Sequence, residues 1–308
     1  MARSTKGYLI GLAALTLVAV SVEPLHAQRI RVIASIPDLA DITKQIGKEL
    51  VEVESLARGV EFMHNVPVKP SFVPKLNRAD LLIVMGLDLE AAWLPSLLEV
   101  ASNPRILPGH PGYVDCSAGV AVLDPPALID RSEGDIHPKG NPHYNLDPLN
   151  GKIIARNIAE GLARNFPQHR PAFEKNLAAY LAELDRWIAV WHKSAGRLKG
   201  VKAVTYHLEW SYFARRFGME LAGTIELRPG IEPTPNYLVS LTQKMRSEKV
   251  QLILYGPQSD RIPRQLASQT GAKALKLPTM AGGAPEYDSY IKLIDHNLNR
   301  LIAALQGV

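Results

Sequence analysis

The sequence predicts an α/β protein of two lobes, each with a parallel sheet flanked by helices. Short apolar runs, typical of buried strands, alternate with helical patterns in both halves of the chain. One long helical pattern separates the halves; it runs from Pro171 to about Leu198 and would span about 40 Å. We interpret it as a strut between the lobes rather than a coiled coil, because the pattern has no partner helix.

The first half predicts three strands and four helices. Two continuous apolar runs are typical of strands buried on both faces, and a third run alternates between apolar and polar residues. Asp38 follows a proline and is suited to cap the first helix. The predicted strands are residues 31–36, 51–56 and 80–86, with short edge strands at 105–107 and 113–116, and the helices are 38–49, 71–77, 90–101 and 151–165.

The second half repeats this alternation. Gly218 and Gly271 each follow a helical pattern, where glycine commonly ends a helix in the left-handed conformation. The predicted strands are residues 201–206, 221–227, 252–255 and 274–277, and the helices are 209–217, 236–249, 261–270 and 287–305.

The N-terminus has the pattern of a secretory signal peptide. Arg3 and Lys6 precede an uncharged, mostly apolar stretch, and Ala27 offers a cleavage site. The apolar stretch is shorter than the roughly 20 residues that span a bilayer, which favours a cleaved signal over a membrane anchor. We therefore expect a periplasmic protein with a signal peptide (1–27), an N-terminal lobe (28–167), a linking helix (168–199) and a C-terminal lobe (200–308).

Composition excludes several classes of site. The formal net charge is +5, but the basic residues are scattered along the chain, so we expect no nucleic-acid partner. The single cysteine, Cys116, excludes an internal disulfide and any multi-cysteine zinc or iron–sulfur site.

Four histidines lie where a fold commonly places a site. His137 and His143 belong to a loop, residues 134–148, whose prolines and glycines keep it out of a helix. His64 follows one predicted strand and His207 ends another, and ligands of open α/β sheets bind beyond the carboxyl ends of strands. Imidazole suits zinc and other late transition metals. From these residues alone, ordinary polar loop positions explain the histidines about equally well.

Several segments together carry a more specific pattern. They are residues 62–64 with 70–72, Ala79-Asp80 with Gly86 to Leu94, Asn141 to Pro148, His207 with 212–218, and 225–226 with 229–235. These segments resemble the zinc- and manganese-binding solute-binding proteins of bacterial ABC importers, and the resemblance covers nearly all of the chain after the signal peptide.

The resemblance implies two α/β lobes joined by one long helix, with the metal in the cleft between them. It also implies that His64, His143 and His207 are metal ligands. Histidine at the third position favours Zn2+ over Mn2+, because nitrogen ligands suit zinc. An ABC transporter membrane permease is the implied partner, and we expect a monomer.

The fourth ligand stays open. Many family members carry an acidic ligand in the loop before the last helix, but residues 277–283 contain no carboxylate here. The candidates are Asp288, Glu209, Glu226 and a water molecule, with His137 as an auxiliary ligand. For Asp288, a charge that complements the dipole of the last helix is the favoured interpretation.

The sequence thus predicts a receptor that captures Zn(II), with Mn(II) as the less favoured cargo, and delivers it to a permease. The alternative is a zinc-dependent hydrolase that uses the same three histidines, because three imidazoles and a water also compose catalytic zinc sites. No HExxH or similar signature supports a hydrolase, so we expect no enzyme.

Overall fold

The computed structural model describes residues 29–125, 137–226, 231–257 and 259–306. The predicted signal peptide lies outside these residues. None of the helices in the described ranges is long and apolar enough to cross a membrane.

Each half of the described chain contains a four-stranded parallel sheet, as predicted. The first sheet contains β1 (Ile30–Ala34), β2 (Val51–Ser55), β3 (Leu81–Val84) and β4 (Tyr113–Asp115). The second contains β5 (Lys202–Thr205), β6 (Glu220–Thr224), β7 (Leu252–Tyr255) and β8 (Lys273–Lys276). The strand orders are β2-β1-β3-β4 and β6-β5-β7-β8, so the order reverses beside β1 and β5, where open α/β sheets bind ligands.

The helices flank these sheets. Those of the first half are α1 (Pro37–Gly47), α2 (Phe72–Asn77), α3 (Leu94–Val100) and α4 (Pro148–Asn165). The long helix α5 (Arg170–Ser194) follows. Those of the second half are α6 (Ser211–Phe217), α7 (Pro235–Ser247), α8 (Arg261–Thr270) and α9 (Tyr290–Leu305).

The long helix joins the two halves. It contacts α1 and α4 in the first half and α9 in the second, and Trp191 Nε1 donates a hydrogen bond to Asp295 Oδ1 over 3.0 Å. The largest cluster of buried apolar side chains contains residues of both halves, including Tyr144, Trp210 and Phe213. The exact domain limits stay a prediction, but the halves share one core.

The glycine caps are confirmed, and two local predictions are wrong. Gly218 and Gly271 both have positive φ, 75° and 79°. Helix α3 begins at Leu94 rather than at residue 90, because Trp93, with a φ of −137°, lies outside the helical region. Residues 105–107 form no strand; Pro104–Ile106 is a 3-10 turn.

Asp38 does not cap α1. Its carboxylate contacts Asn145 and the loop before α9 instead. Its buried carboxylate accepts hydrogen bonds from Asn145 Nδ2 (3.1 Å) and from the backbone N–H of Ala281 (3.0 Å). Burial raises the pKa of Asp38 to about 6, while these two hydrogen bonds oppose the rise. The loop before α9 is therefore fastened to the first half of the molecule.

A bidentate ion pair between Arg216 and Asp147 also links the two halves. Arg216 Nε and Nη2 donate to the two carboxylate oxygens of Asp147 over 2.7 and 2.8 Å. The Asp147 side chain is only 8% exposed, and it also caps α4 by accepting from the N–H of Leu149. Paired geometry of this kind, partly shielded from water, is stronger than an exposed ion pair.

We expect Arg216→Gln to destabilise the protein by about 2–3 kcal/mol, because it leaves a shielded carboxylate without its cation. Urea unfolding of the purified protein measures this change. Arg215→Gln is the matched control, since Arg215 is the exposed neighbour on the same helix. Equal midpoints for the two variants would contradict a stabilising role for the Arg216–Asp147 pair.

Candidate metal centre

Four imidazole rings meet between the two halves of the molecule. The ring centroids of His64, His143 and His207 lie 4.8–5.2 Å from one another, and each residue is no more than 2% exposed. The ring of His137 stacks on His64 with 4.7 Å between centroids. Ligand atoms of His64, His137 and His207 all lie within 4.8 Å of one another, close enough to hold one metal ion.

His64 is held in a loop between β2 and α2. Trp93 Nε1 donates a hydrogen bond to the carbonyl of Met63 over 3.1 Å, which fastens the backbone beside the histidine. The ring of Phe62 packs against both His64 and His207, with centroids 4.9 and 5.9 Å away. Aromatic packing on two sides restricts the orientation of the His64 ring.

His143 lies just before α4 and is oriented by Asn141. The amide oxygen of Asn141 accepts hydrogen bonds from the backbone N–H and from ring Nδ1 of His143, over 2.9 and 2.8 Å. Ring Nε2 then points to the centre of the cluster, where it lies 2.7 Å from Nε2 of His64. This contact joins two loops that are 79 residues apart in the chain.

His207 follows β5 at the carboxyl end of the second sheet, as predicted. Its ring Nδ1 lies 3.1 Å from Glu226 Oε2, which follows the neighbouring strand β6. A carboxylate on one ring nitrogen fixes the ring orientation and makes the other nitrogen a stronger ligand. Glu226 therefore contacts His207 through Nδ1 and restricts the orientation of its ring.

His137 completes the cluster from the loop before His143. Both of its ring nitrogens are buried and have no hydrogen-bond partner among the described residues. Two residues on, Lys139 forms an ion pair with Asp88 over 2.9 Å, which holds this loop against the turn after β3. Buried ring nitrogens without a partner are costly unless a ligand satisfies them.

Burial favours the neutral form of the His64, His143 and His137 rings. It holds the pKa of His64 and of His143 well below the usual value, and the neighbouring imidazoles lower the pKa of both further. Burial also lowers the pKa of His137 to about 4, with His207 adding to the effect and Asp88 opposing it. Neutral imidazole is the form that binds metals.

The remaining predicted candidates lie in different surroundings. Asp288 is exposed at the surface and pairs with Lys292 over 2.8 Å. Glu209 is buried in the 3-10 turn Leu208–Trp210, directly after His207. Among the carboxylates considered as ligands, Glu209 and Glu226 are thus the ones close to a histidine of the cluster.

Sequence reasoning did not identify the partners of the histidines. Asn141 was recognised as part of a motif, but its two hydrogen bonds to His143 were not expected. The signal was its position two residues before a histidine, where an amide can accept from the backbone and the ring together. The contact of Trp93 with Met63 left no sequence signal, because it depends on tertiary structure.

Known proteins resemble this chain over most of its length. The family model of ZnuA, zinc-uptake complex component A, periplasmic, matches residues 32–304. The manganese ABC transporter substrate-binding lipoprotein PsaA of Streptococcus pneumoniae (serotype 4, strain TIGR4) is 27% identical over 287 residues, which cover 90% of each chain. The metal ABC transporter substrate-binding lipoprotein ScbA of Streptococcus cristatus is 28% identical over 305 residues, covering 96% of this chain and 95% of the relative.

Solved structures with a similar fold include two that contain a bound metal. A zinc-bound deletion mutant of ZnuA superimposes with a TM-score of 0.75 at 25% identity, covering 90% of this chain and 98% of that structure. A manganese-bound periplasmic metal-binding protein from Candidatus Liberibacter asiaticus has a TM-score of 0.74 at 22% identity, covering 90% of this chain and 100% of that one; it supports the fold alone. The family match shows that this chain belongs to the ZnuA family of metal-binding, extracytoplasmic substrate-binding proteins of ABC importers, which are receptors and not enzymes.

Proposed function

We propose that this protein is a periplasmic receptor that captures Zn(II) and delivers it to the membrane permease of an ABC importer. The observation that carries the proposal is the convergence of buried imidazoles from both halves of the chain. Nitrogen ligands suit zinc, whereas manganese prefers carboxylate and carbonyl oxygen. The family description names zinc uptake, which supports the same cargo.

His64, His143 and His207 are the proposed ligands, each through Nε2. Nε2 is the proposed ligand atom of both rings because Nδ1 of His143 contacts Asn141 and Nδ1 of His207 contacts Glu226. Ligand nitrogens around tetrahedral zinc stand roughly 3.3 Å apart, given Zn–N distances of about 2.0–2.1 Å. The rings of His64 and His143, now 2.7 Å apart at Nε2, would therefore separate by about half an ångström on binding.

His137 is the proposed fourth ligand. Its buried ring nitrogens gain a partner when the metal binds, and its ligand atom lies within reach of those of His64 and His207. Glu209 and a water molecule are the competitors for this position. Asp288 is disfavoured because its carboxylate pairs with Lys292 at the surface.

Manganese is the competing cargo, because PsaA, named as a manganese transporter lipoprotein, is among the relatives. Metal analysis of the protein purified from periplasm, combined with a competition titration of Zn2+ against Mn2+, tests the choice. Manganese as the main bound metal would overturn the zinc proposal while leaving the receptor role intact.

We expect alanine at His64, His143 or His207 to weaken zinc binding by on the order of 100-fold or more, since losing an outer-sphere partner alone costs about 10–100-fold. His137→Ala should cost less, about 10-fold, because water can replace the fourth ligand. Competition against a chromophoric chelator measures these affinities. His110→Ala, an exposed loop histidine, is the control. Wild-type affinity in His143→Ala or His207→Ala would refute the ligand assignment.

We also expect protonation of His64, His143 and His137 to leave zinc affinity little changed between pH 8 and about pH 6. Protons compete with the metal only below the pKa of the free imidazoles, and burial places those of His64 and His143 well below the usual value and that of His137 at about 4. Affinity should therefore fall only in more acidic solution, and binding at pH 7 should release almost no protons from these rings. Calorimetry in buffers of different ionisation enthalpy measures proton release, and release of a full proton or more would contradict this expectation.

A further inference from the structure

Asn141 is a junction between the two halves of the candidate site. The residue is 4% exposed, and its side-chain amide makes hydrogen bonds on both sides. The oxygen accepts from the backbone N–H and ring Nδ1 of His143. The nitrogen donates to the carbonyl of Leu208 over 2.8 Å and to Asp124 Oδ2 over 2.9 Å.

The orientation of this amide follows from its partners. A backbone N–H can only donate, so the atom that faces the N–H of His143 must be the oxygen. A backbone carbonyl can only accept, so the atom that faces Leu208 must be the nitrogen. Because the oxygen also faces ring Nδ1, the neutral ring of His143 must carry its proton on Nδ1.

The same amide connects His143 to the segment that carries His207. Leu208 is the next residue after His207, and it belongs to the second half of the chain. A further contact supports this link: the hydroxyl of Tyr212 donates to the backbone carbonyl of Asn141 over 2.7 Å. One residue therefore touches a candidate ligand of the first half and the backbone beside a candidate ligand of the second.

We propose that Asn141 is a positioning residue for metal capture. Its oxygen holds His143 with the proton on Nδ1 and the lone pair on Nε2, and its nitrogen keeps that ring in register with the segment of His207. The inference rests on the proposed function, because it takes Nε2 of His143 as a metal ligand. Outer partners of metal-binding histidines commonly act in this way, by fixing the tautomer and orientation of the ring.

The test compares Asn141→Ala with Asn141→Asp. In the metal-free protein, long-range 1H–15N correlation of the imidazoles should show the Nδ1–H tautomer of His143 in the wild type and in Asn141→Asp, whose carboxylate still accepts the ring N–H. Asn141→Ala should show a mixture of tautomers. It should also release zinc about 10-fold faster or more in chelator-trapping experiments. Asn141→Asp should fall between Asn141→Ala and the wild type, because it keeps the acceptor for the ring N–H but loses the donor to Leu208.

Tyr212→Phe is the matched control, since it removes the hydrogen bonds of this hydroxyl to the backbone carbonyl of Asn141 and the N–H of Leu123 without touching the side-chain amide of Asn141. It should keep the Nδ1–H tautomer and change the zinc release rate less than Asn141→Ala does. A single tautomer in Asn141→Ala, or an equal effect of Tyr212→Phe on zinc release, would overturn the proposal. Failure of the wild-type protein to bind zinc would instead refute the proposed function, and the tautomer measurement on metal-free protein would still decide the role of Asn141.

Discussion

The arrangement of this site depends on keeping several imidazoles neutral. His64, His143 and His207 lie about 5 Å apart in a nearly dry environment, where a protonated ring would face its neighbours at high electrostatic cost. The fold meets this requirement by burial, which lowers the pKa of His64 and His143. Partners behind the rings, Asn141 and Glu226, then direct the lone pairs inward. The protein thus gathers buried imidazoles from both halves of the chain at one place.

Much of the fold could be predicted, because buried parallel strands and amphipathic helices leave strong periodic patterns. The two sheets, the long helix α5 and the glycine caps are confirmed. The start of α3 could not be predicted, since the non-helical backbone of Trp93 leaves no signal in the sequence. Asp38 looked like a helix cap because its sequence position is typical of one, and only the folded chain brings Ala281 and Asn145 to its carboxylate.

Less of the candidate site than of the fold could be predicted from the sequence. His64 and His207 stand beyond strands, where the topology of an α/β sheet gathers side chains, and the family resemblance singled out His143. Their role as ligands stays a prediction. The stacking of His137 on His64 and the contact of Glu226 with His207 could not be read from the chain, since both depend on how distant loops meet.

The loop before α9, residues 277–284, has a structural role here. It carries no carboxylate, but it lies against the first half closely enough that a side chain at Gly59 would clash with the carbonyl of Ala281. Asn145, two residues after His143, donates to the carbonyl of Thr279. A carboxylate from elsewhere contacts the loop: Asp38 accepts a hydrogen bond from the backbone N–H of Ala281. This loop therefore packs against the segment that follows His143.

The 2.7 Å contact between Nε2 of His64 and Nε2 of His143 requires one hydrogen between the two nitrogens. Since Asn141 holds the His143 proton on Nδ1, Nε2 of His143 is an acceptor, and His64 must supply the shared hydrogen from its own Nε2. If these two nitrogens bind the cargo, as we propose, an incoming cation meets an N–H where it needs a lone pair. The His64 proton must first leave or migrate to Nδ1 of the same ring. Metal binding at these two nitrogens would therefore be coupled to the relocation of one proton on His64.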